Sequence, residues 1–363
     1  MVGGSIWPFF KGKRVLVTGH TGFKGSWLAF WLHELGAKVA GYALAPEREN
    51  DHFHLLGLAD KIHHVESDIR DEQALIKLFA DFQPEIVIHL AAQALVRQSY
   101  QEPKHTFDTN IGGSVNLLEA VRATSSVRSL VYITSDKAYK NKEWIWGYRE
   151  NDELGGRDPY SASKAAAELV FQSYLDSFLG AREGFGAASA RAGNVIGGGD
   201  WSPDRIVPDT IQSLVNGRPV ELRNPSATRP WQHVLEPLSG YLTLAARLYE
   251  QPKQFQGSWN FGPEGSGMHT VKDLAEQIIT NWGSGTLEVR PDPNAPHEAG
   301  LLHLNCDKAR YELNWRPRWG FERTVAETAA WYRDVSLGKQ AETITRVQIN
   351  AYMDSENHLG RRN

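Results

Sequence analysis

A strand-like segment that leads directly into three evenly spaced glycines is the feature that most constrains how this chain folds. Residues 14–17 (RVLV) are mostly apolar, a composition typical of a buried strand. Three glycines then follow at intervals of three residues, Gly19, Gly22 and Gly25. Residues 26–35 carry large apolar side chains at largely helical spacing.

A strand, a glycine-rich turn and a helix in this order form the phosphate-binding opening of a doubly wound α/β domain. The glycines let the backbone approach a pyrophosphate, and the helix N-terminus receives its charge. The Gly-x-x-Gly-x-x-Gly spacing differs from the more common Gly-x-Gly-x-x-Gly. Glycines alone are a weak signal, but their position between a strand and a helix predicts dinucleotide binding.

The first half of the chain continues to alternate between the two kinds of segment. Further strands are expected at 38–44, 62–68, 85–92, 129–135 and 186–195, and helices at 71–82, 110–123 and 160–178. This alternation predicts a parallel sheet with right-handed crossovers. We therefore expect an α/β fold, a Rossmann-type doubly wound parallel sheet with a smaller C-terminal substrate-binding domain.

The alternation is lost after about residue 196, where Gly, Pro and Trp become dense. This change in composition predicts the domain boundary. The dinucleotide-binding domain is expected at 11–195 and to be rejoined by about 229–262. The substrate domain takes 196–228 and 263–345, and residues 1–10 and 346–363 are terminal extensions.

Two further motifs bring proton-transfer chemistry to the same sheet. Ser135, Asp136 and Lys137 lie at the end of a predicted strand, and Tyr160 and Lys164 follow about 25 residues later. A Tyr and a Lys four residues apart share one helix face, although such pairs also arise by chance. Ligands of open α/β sheets bind beyond the carboxyl ends of the strands, so a Ser–Tyr–Lys trio is expected there. The extra Asp136 suggests a reaction that expels a leaving group as well as moving hydride.

These residues resemble the extended short-chain dehydrogenase/reductase family and, within it, the CDP-glucose 4,6-dehydratases. The resemblance rests on residues 20–25, 134–137, 191–201 and 229–234, and it extends from about residue 11 to about residue 340. It implies NAD as cofactor and a sugar nucleotide as the small-molecule substrate. The implied enzyme is a hydro-lyase that converts CDP-D-glucose to CDP-4-keto-6-deoxy-D-glucose in deoxysugar synthesis for surface polysaccharide, such as lipopolysaccharide O-antigen.

The resemblance also implies a role for each catalytic residue. Tyr160 takes the 4-hydroxyl proton while Ser135 hydrogen-bonds the same oxygen and hydride moves from C4 to NAD. Water then leaves across C5 and C6, and hydride returns to C6. Lys164 and the positive nicotinamide are expected to lower the pKa of Tyr160 from its usual value of about 10. Asp136 protonates the departing 6-hydroxyl, which requires a carboxyl that burial keeps protonated.

Lys137 is a departure from the family pattern, because related dehydratases commonly have Glu here as the C5 base. A lysine can accept that proton only if desolvation or a nearby charge strongly depresses its pKa. Alternatively, Lys137 stabilises the enolate electrostatically while another group takes the proton. Participation of Lys137 is preferred, and the electrostatic role stays open.

The resemblance assigns the cofactor contacts as well. Asp68 is expected to accept a hydrogen bond from the adenine amino group, with Ile69 against the ring. His20 and Lys24 either add charge near the pyrophosphate or lie in a solvated loop. The predicted contacts are Gly19, His20, Gly22, Phe23, Lys24, Gly25, Asp68, Ile69, Ala91, Ala92, Gln93, Tyr160 and Lys164.

The choice between NAD and NADP is less well marked in the sequence. An acid that binds the ribose usually follows the glycines by about 20 residues, yet residues 41–44 contain none. Glu47 comes slightly late, and Arg48 beside it could meet a 2′-phosphate. NAD follows from the resemblance.

Recognition of the sugar nucleotide is expected from later residues. Arg229 suits bidentate binding of a pyrophosphate, and Trp231 or Trp201 could stack on the base. The predicted substrate contacts are Arg97, Ser99, Asn194, Arg205, Arg223, Arg229 and Trp231. His233 and His297 lack the spacing of metal ligands, so no metal site is expected. Residues 296–298 resemble a family motif near the nucleotide.

Composition limits the partners and the compartment. The chain has 363 residues, a net charge of −4 and a single cysteine, Cys306. Nothing in this charge suggests nucleic acid, and one cysteine forms no internal disulfide. No signal peptide or membrane span is expected, so the sequence predicts a cytoplasmic protein without a membrane partner. By analogy with relatives that pair through long helices, the 160–178 helix suggests a homodimer or homotetramer.

Two rival functions remain at this point. A sugar-nucleotide 4-epimerase would use Ser135, Tyr160 and Lys164 but has no task for Asp136. A non-catalytic NAD-binding regulator would keep the fold without turnover, and the complete Ser–Tyr–Lys set argues against it.

Overall fold

A seven-stranded, entirely parallel sheet forms the centre of the molecule. The computed structural model describes residues 5–264, 268–290 and 301–355. The strands are β1 (Arg14–Thr18), β2 (Lys38–Ala43), β3 (His63–Glu66), β4 (Ile86–His89), β5 (Ser129–Ile133), β6 (Gly186–Ala192) and β7 (Gly257–Phe261). Their order across the sheet is β7-β6-β5-β4-β1-β2-β3. In register, Leu16 lies opposite Val87, which lies opposite Leu130.

Helices connect and cover these strands. They are α1 (Phe23–Glu34), α2 (His52–Leu55), α3 (Glu72–Phe82), α4 (Val96–Gln101), α5 (Pro103–Phe107), α6 (Gly113–Ala123), α7 (Pro159–Tyr174), α8 (Ile206–Val215), α9 (Leu235–Glu250), α10 (Val271–Trp282), α11 (Asp307–Tyr311), α12 (Phe321–Ser336) and α13 (Ala341–Asp354). Short 3-10 turns lie at Trp7–Phe10, Leu58–Asp60 and Asp136–Ala138, and π turns at Asp108–Gly112 and Leu175–Leu179.

Three pairs of short strands lie outside the main sheet. Val195–Ile196 pairs with Gln232–His233 in parallel, and Val220–Leu222 pairs with Leu287–Val289 in parallel. Thr228–Arg229 pairs with His269–Thr270 in antiparallel fashion. These pairs order the chain beyond the end of β6.

The sheet has a hydrophobic layer on each face. On one face α3, α6 and α7 contribute fully buried side chains such as Leu75, Leu118 and Phe171. On the other face, α1, α9 and α12 contribute Trp27, Leu242 and Trp331 among others. Burying one large apolar side chain stabilises a fold by roughly 1.5–3 kcal/mol, so these two layers fix the sheet between its helices.

The chain changes direction across the sheet between β1 and β4, which are neighbours although two strands separate them in sequence. Strands β4, β5 and β6 then follow in order on that side. The carboxyl ends of β1, β4, β5 and β6 are consequently adjacent. In an open α/β sheet this switch point is where a ligand binds.

These features confirm the predicted α/β fold with a doubly wound parallel sheet. The third strand is shorter than predicted, so Asp68 lies in the loop beyond it. The helix predicted at 160–178 is α-helical only to Tyr174 and ends in the π turn Leu175–Leu179. The division into two domains stays a prediction, although β7 does return the chain to the main sheet.

Both segments predicted as terminal extensions carry buried side chains. Trp7 and Phe10 are buried at the start of the described chain. Helix α13 buries Ile349 and Tyr352 and packs against α12 and α1. These parts belong to the core and are not appended to it. In the part of the chain that the structure describes, no helix has the length and apolar character needed to cross a membrane.

Candidate active site

The glycine turn forms a cradle of bare backbone at the end of β1. Gly19 has φ +74°, and a Cβ there would lie 2.7 Å from the backbone nitrogen of Ala91. A Cβ on Gly25 would overlap the carbonyl oxygen of Gly19. Gly22 is the N-cap residue just before helix α1, and no side chain caps the helix. These residues therefore fit a dinucleotide pyrophosphate, which needs close backbone approach and free N–H groups at a helix N-terminus.

Adding one methyl group at Gly25 is expected to damage this cradle. In Gly25→Ala, the methyl group must displace the Gly19 carbonyl, so affinity for NAD should fall by at least about tenfold, or ~1.4 kcal/mol. Isothermal titration of the purified variant with NAD measures the change. Gly112→Ala is the matched control, because its Cβ meets nothing within 4 Å. Equal NAD affinity in Gly25→Ala and the wild type would contradict the role of the glycine turn in holding the pyrophosphate.

His20 follows Gly19 but does not carry charge to the cradle. Its ring is fully buried across Gly41, and its Nε2 lies 2.7 Å from Nδ1 of His64. Burial and the nearby His64 lower the pKa of His20 to about 3. The expectation that His20 adds positive charge near the pyrophosphate is therefore wrong, because this imidazole is neutral.

Lys24 lies near the carboxylates of Asp136 and Asp200. Burial and the charge of Arg205 lower the pKa of Lys24 to about 8, while Asp136 and Asp200 oppose this change. The side chain is half-buried, so it is not part of a solvated loop. Its neighbour Phe23 packs against Gly197, which joins the glycine turn to the segment after β6.

The predicted adenine contacts already have partners within the protein. The carboxylate of Asp68 accepts hydrogen bonds from the Arg70 backbone N–H at 2.9 Å and from Arg70 Nε at 3.0 Å. This pairing lowers the pKa of Asp68, so the group is an ionised acceptor. Ile69 is buried against Gly113 of α6. The roles of Asp68 and Ile69 toward adenine stay predictions.

Gln93 braces the loop after β4. Its backbone N–H donates to Asn110 Oδ1 at 2.8 Å, and its side-chain amide donates to Leu95 O at 3.0 Å and Thr106 Oγ1 at 2.9 Å. Ala91 and Ala92 lie at the same strand end, beside the Gly19 turn. The loop is thus fixed at the edge of the cradle.

The residue considered for a 2′-phosphate makes a different contact. Arg48 donates from Nη1 to the carbonyl of Trp201. Asp51 Oδ2 accepts the backbone N–H groups of Glu47 and Arg48 at 2.9 and 3.0 Å. Arg48 thereby links the loop after β2 to the loop after β6. Its guanidinium already has a hydrogen-bond partner within the protein.

The Ser–Tyr–Lys trio comes together in a buried position. Ser135 is 7% exposed, Tyr160 8% and Lys164 7%. Burial raises the pKa of Tyr160 to about 12, and the facing hydroxyl of Ser135 opposes the rise. Burial and Lys24 lower the pKa of Lys164 to about 8, which Glu168 opposes. The protein alone therefore keeps Tyr160 protonated, and the expected lowering of its pKa by Lys164 together with the positive nicotinamide stays a prediction.

Asp136 is buried next to the trio. It accepts a hydrogen bond from Ser135 Oγ at 2.9 Å, and a Cβ on Gly193 would overlap its carboxylate, so that glycine makes room for it. Burial raises the pKa of Asp136, and the charge of Lys137 opposes the rise. This direction is the one that a proton donor near neutrality requires.

Lys137 is exposed at the edge of the crevice. Its side chain is open to water, so the desolvation that would help a lysine act as a base is absent here. Its backbone N–H donates to Ser135 Oγ at 3.2 Å, which shapes the turn independently of the side chain. The exposure favours the electrostatic role that the sequence left open.

Two predicted substrate contacts are occupied elsewhere. Ser99 is fully buried, donates to Val96 O at 2.6 Å and accepts the N–H of Tyr160 at 3.2 Å. It therefore supports the start of α7 and is not available to a sugar. Trp231 is 5% exposed and packs on Phe321, so it belongs to the core. The expectations of a sugar contact at Ser99 and of base stacking by Trp231 are wrong for this reason.

The predicted arginines divide into two groups. Arg205 pairs with Asp200 at 2.8 Å and lies close enough to Tyr160 to affect its pKa. Arg97 and Arg223 share Asp204, at 2.7 and 3.5 Å, at the exposed rim. Only Arg205 of these three is thus shown beside the catalytic trio.

Asn194 and Arg229 lie after β6 and outside the main sheet. Asn194 has φ +30°, and its carbonyl accepts the Gln232 N–H at 3.1 Å. Arg229 belongs to the short pair Thr228–Arg229 and is half-buried. Their phosphate contacts stay predictions. Residues 296–298, including His297, lie outside the described residues.

The structure also brings in residues that the sequence reasoning missed. Glu168 lies four residues after Lys164 on the same face of α7. Its charge partly offsets the fall in the pKa of Lys164 that burial causes. Helical spacing from Lys164 could have identified Glu168. Its partner Arg191 is 23 residues further on, and no local spacing indicates that pairing.

Comparison with known proteins supports a single family. The model of the GDP-mannose 4,6 dehydratase family matches residues 16–328. A CDP-glucose 4,6-dehydratase of Salmonella typhimurium is 47% identical over 351 residues, which are 96% of this chain and 98% of that protein. UDP-glucose 4-epimerase 3 of Oryza sativa is 25% identical over 94% of this chain and 95% of its own length.

Solved structures agree with the fold. The UDP-glucose 4-epimerase of Thermus thermophilus, in complex with NAD, has a TM-score of 0.74 at 28% identity and covers 88% of this chain and 99% of its own. A dTDP-glucose 4,6-dehydratase of Bacillus anthracis has a TM-score of 0.73 at 22% identity and covers 89% of this chain and 97% of its own; it supports the fold alone. The family match spans most of the sequence, so the resemblance of the motifs is confirmed and the chain belongs to the GDP-mannose 4,6 dehydratase family.

Proposed function

We propose that this protein is an NAD-dependent sugar-nucleotide 4,6-dehydratase that acts on CDP-glucose. One observation carries the proposal: a buried carboxyl, Asp136, hydrogen-bonded to Ser135 beside Tyr160 and Lys164, with its pKa raised. A 4-epimerase needs the trio but not this acid. The Salmonella relative that is 47% identical bears the name CDP-glucose 4,6-dehydratase, which supports the choice of nucleotide.

The cofactor is proposed to lie along the glycine cradle, with its pyrophosphate at the N-terminus of α1. The Thermus relative was solved in complex with NAD, in support of the same cofactor. Bound NAD supplies the hydride acceptor at C4, the returning hydride for C6, and a positive charge near Tyr160. Gly19, Gly22 and Gly25 bring the backbone close enough to hold it.

The protein's own groups are proposed to manage three proton movements. Tyr160 accepts the 4-hydroxyl proton, and Ser135 orients that oxygen. Since the pKa of Tyr160 is raised to about 12, mainly by burial, the trio requires added positive charge to favour the phenolate. Asp136 donates its proton to the departing 6-hydroxyl, because burial keeps the carboxyl protonated. The C5 proton passes to a solvent water at the edge of the crevice, where Lys137 is exposed, and the charge of Lys137 stabilises the enolate that remains.

Assembly, location and pathway are part of the same proposal. Leu169 of α7 and Phe178 just beyond it are apolar and 63% and 57% exposed, and exposed apolar side chains on this segment support pairing of two copies through it. We propose a homodimer or homotetramer located in the cytoplasm. The proposed domains are those expected from the sequence, except that Trp7, Phe10, Ile349 and Tyr352 of the expected terminal extensions are buried in the core. The product is proposed to supply surface deoxysugars.

Incubation with CDP-glucose in heavy water tests the function directly. We expect a 4-keto-6-deoxy product with deuterium at C5, and no net consumption of NAD, because the hydride returns within each turnover. Unlabelled CDP-galactose would instead identify an epimerase, and tight NAD binding without product would identify a regulator. A parallel panel of UDP-, dTDP- and GDP-glucose tests the nucleotide; faster turnover of any of these would overturn CDP.

A further inference from the structure

A buried ion pair connects strand β6 to helix α7, the helix that carries Tyr160 and Lys164. Arg191 of β6 donates to Glu168 of α7 through Nε at 2.8 Å and through Nη2 at 2.9 Å. Both side chains are 2% exposed. The proposed mechanism uses neither residue. A buried pair is weak evidence of stability, because apolar residues of similar volume often serve as well. This pair also makes hydrogen bonds to residues on both sides of the Ser135–Asp136 turn.

Glu168 holds the residue that precedes the catalytic turn. Thr134 Oγ1 donates to Glu168 Oε1, and Ser189 Oγ donates to Oε2 at 2.7 Å. Thr134 is adjacent to Ser135, and Glu168 is one helical turn beyond Lys164. The carboxylate thereby connects the end of β5 to the helix that carries Tyr160 and Lys164.

Arg191 holds the residue at the other end of that turn. Its Nη1 donates to Tyr139 Oη at 2.7 Å, and Tyr139 Oη donates onward to Asn260 Oδ1 at 2.8 Å. Arg191 also donates to Glu150 O at 3.0 Å and to Ser258 Oγ at 3.0 Å. Tyr139 ends the short 3-10 turn Asp136–Ala138. The segment from 134 to 139 is therefore fixed at both ends by one ion pair.

We infer that Glu168 and Arg191 are positioning residues, a clamp that sets the distance from the Ser135–Asp136 turn to Tyr160 and Lys164 on α7. The inference rests on the proposed function, because it assigns the clamp to that reaction. A loosened turn moves Ser135 and Asp136 relative to Tyr160 without removing any reacting group. Small displacements of this kind reduce the rate strongly in sites that depend on orientation.

The clamp also places a negative charge near Lys164. Burial opposes ionisation of Glu168, but Arg191 and the hydrogen bonds from Thr134 and Ser189 lower its pKa. The charged groups around Lys164 are Lys24 from α1 and Glu168 from its own helix, and the buried His89 of β4 also faces it. Of these, Glu168 is the group that favours a charged Lys164.

Thr134→Val tests the clamp without disturbing the ion pair. It removes the hydroxyl that donates to Glu168 and keeps the size of the side chain. We expect kcat for CDP-glucose to fall about 10- to 100-fold, the scale of rate loss when a reacting group is displaced by up to about 1 Å, with KM changed by less than about twofold. Thr134→Ser, which keeps the hydroxyl, should restore most of kcat. Wild-type kcat in Thr134→Val, or equal loss in both variants, would overturn the inference.

Glu168→Gln gives a second readout that a purely structural role would not produce. When the negative charge of Glu168 is removed, Lys164 loses its proton more readily. The rate of single-turnover NADH formation, which falls at high pH, should therefore fall at a lower pH in the variant than in the wild type. An unshifted profile in the folded variant would count against the clamp. If Glu168→Gln does not fold, the comparison of Thr134→Val with Thr134→Ser tests the clamp by itself. Wild-type protein in the same series separates the two claims: no 4-keto product there defeats the proposed function, whereas equal rates in wild type and Thr134→Val defeat the clamp alone.

Discussion

Tyr160→Phe is expected to stop hydride transfer, so that nicotinamide absorbance stays unchanged when CDP-glucose is added to the NAD-loaded protein. The change removes one hydroxyl from a ring that is 8% exposed and leaves its packing in place. That hydroxyl is the proposed acceptor of the 4-hydroxyl proton, and no other described group of the trio can replace it: Ser135 is a weaker base and Lys164 is a cation. Loss of a positioned acid or base costs about 10²- to 10⁴-fold in rate.

Tyr174→Phe is the matched control for this change. Tyr174 is the last residue of the same helix, α7, and its hydroxyl donates to Glu119 at 2.8 Å, away from the crevice. Turnover should stay at the wild-type level in this variant. Thermal unfolding of both variants checks that the helix is intact. A normal rate of NADH formation in Tyr160→Phe would remove Tyr160 from the proton transfer.

The parts of the structure that follow from local pattern could be predicted from the sequence. The strand expected at 85–92 is Ile86–His89, and the strand expected at 129–135 is Ser129–Ile133. Each is a short apolar run that only a doubly covered sheet can bury. Ser135 and Tyr160 could be placed as well, because strand ends and helix faces follow directly from these elements.

Burial of polar groups could not be predicted, because it depends on residues far away in the chain. His20 is neutral because it packs across Gly41 and contacts His64, which is 44 residues distant. Trp231 was assigned to the nucleotide, yet its ring meets Phe321, 90 positions later. Spacing along one strand or helix carries no information about such partners.

The same limit applies to the pKa of Tyr160. The sequence places Lys164 one helical turn away, which suggests a lowered pKa for the phenol. In the structure, desolvation is the largest effect on the phenol, and the pKa of Tyr160 rises to about 12. Whether burial or a nearby charge dominates depends on packing from several elements, and only the folded chain specifies it.

Asp136→Asn is expected to separate oxidation from elimination. Asparagine keeps the shape of the buried carboxyl and can still accept the hydrogen bond from Ser135, but it has no acidic proton to give. Oxidation at C4 should therefore proceed, while loss of the 6-hydroxyl slows by about 10²- to 10⁴-fold. Trapped NADH should accumulate after CDP-glucose is added, visible as a persistent absorbance. Unimpaired dehydration would remove Asp136 from the mechanism.

The pH dependence provides an independent test of the same acid. Burial raises the pKa of Asp136 in the folded state, so its protonated form stabilises the fold at low pH, and this contribution is lost as pH rises through the raised pKa. Wild type should therefore lose free energy of unfolding relative to Asp136→Asn as pH increases. Its elimination rate should fall over the same range, because the proton donor disappears. If wild type and variant have parallel stability and rate profiles, the carboxyl does not hold a proton in the folded protein and cannot serve as the acid.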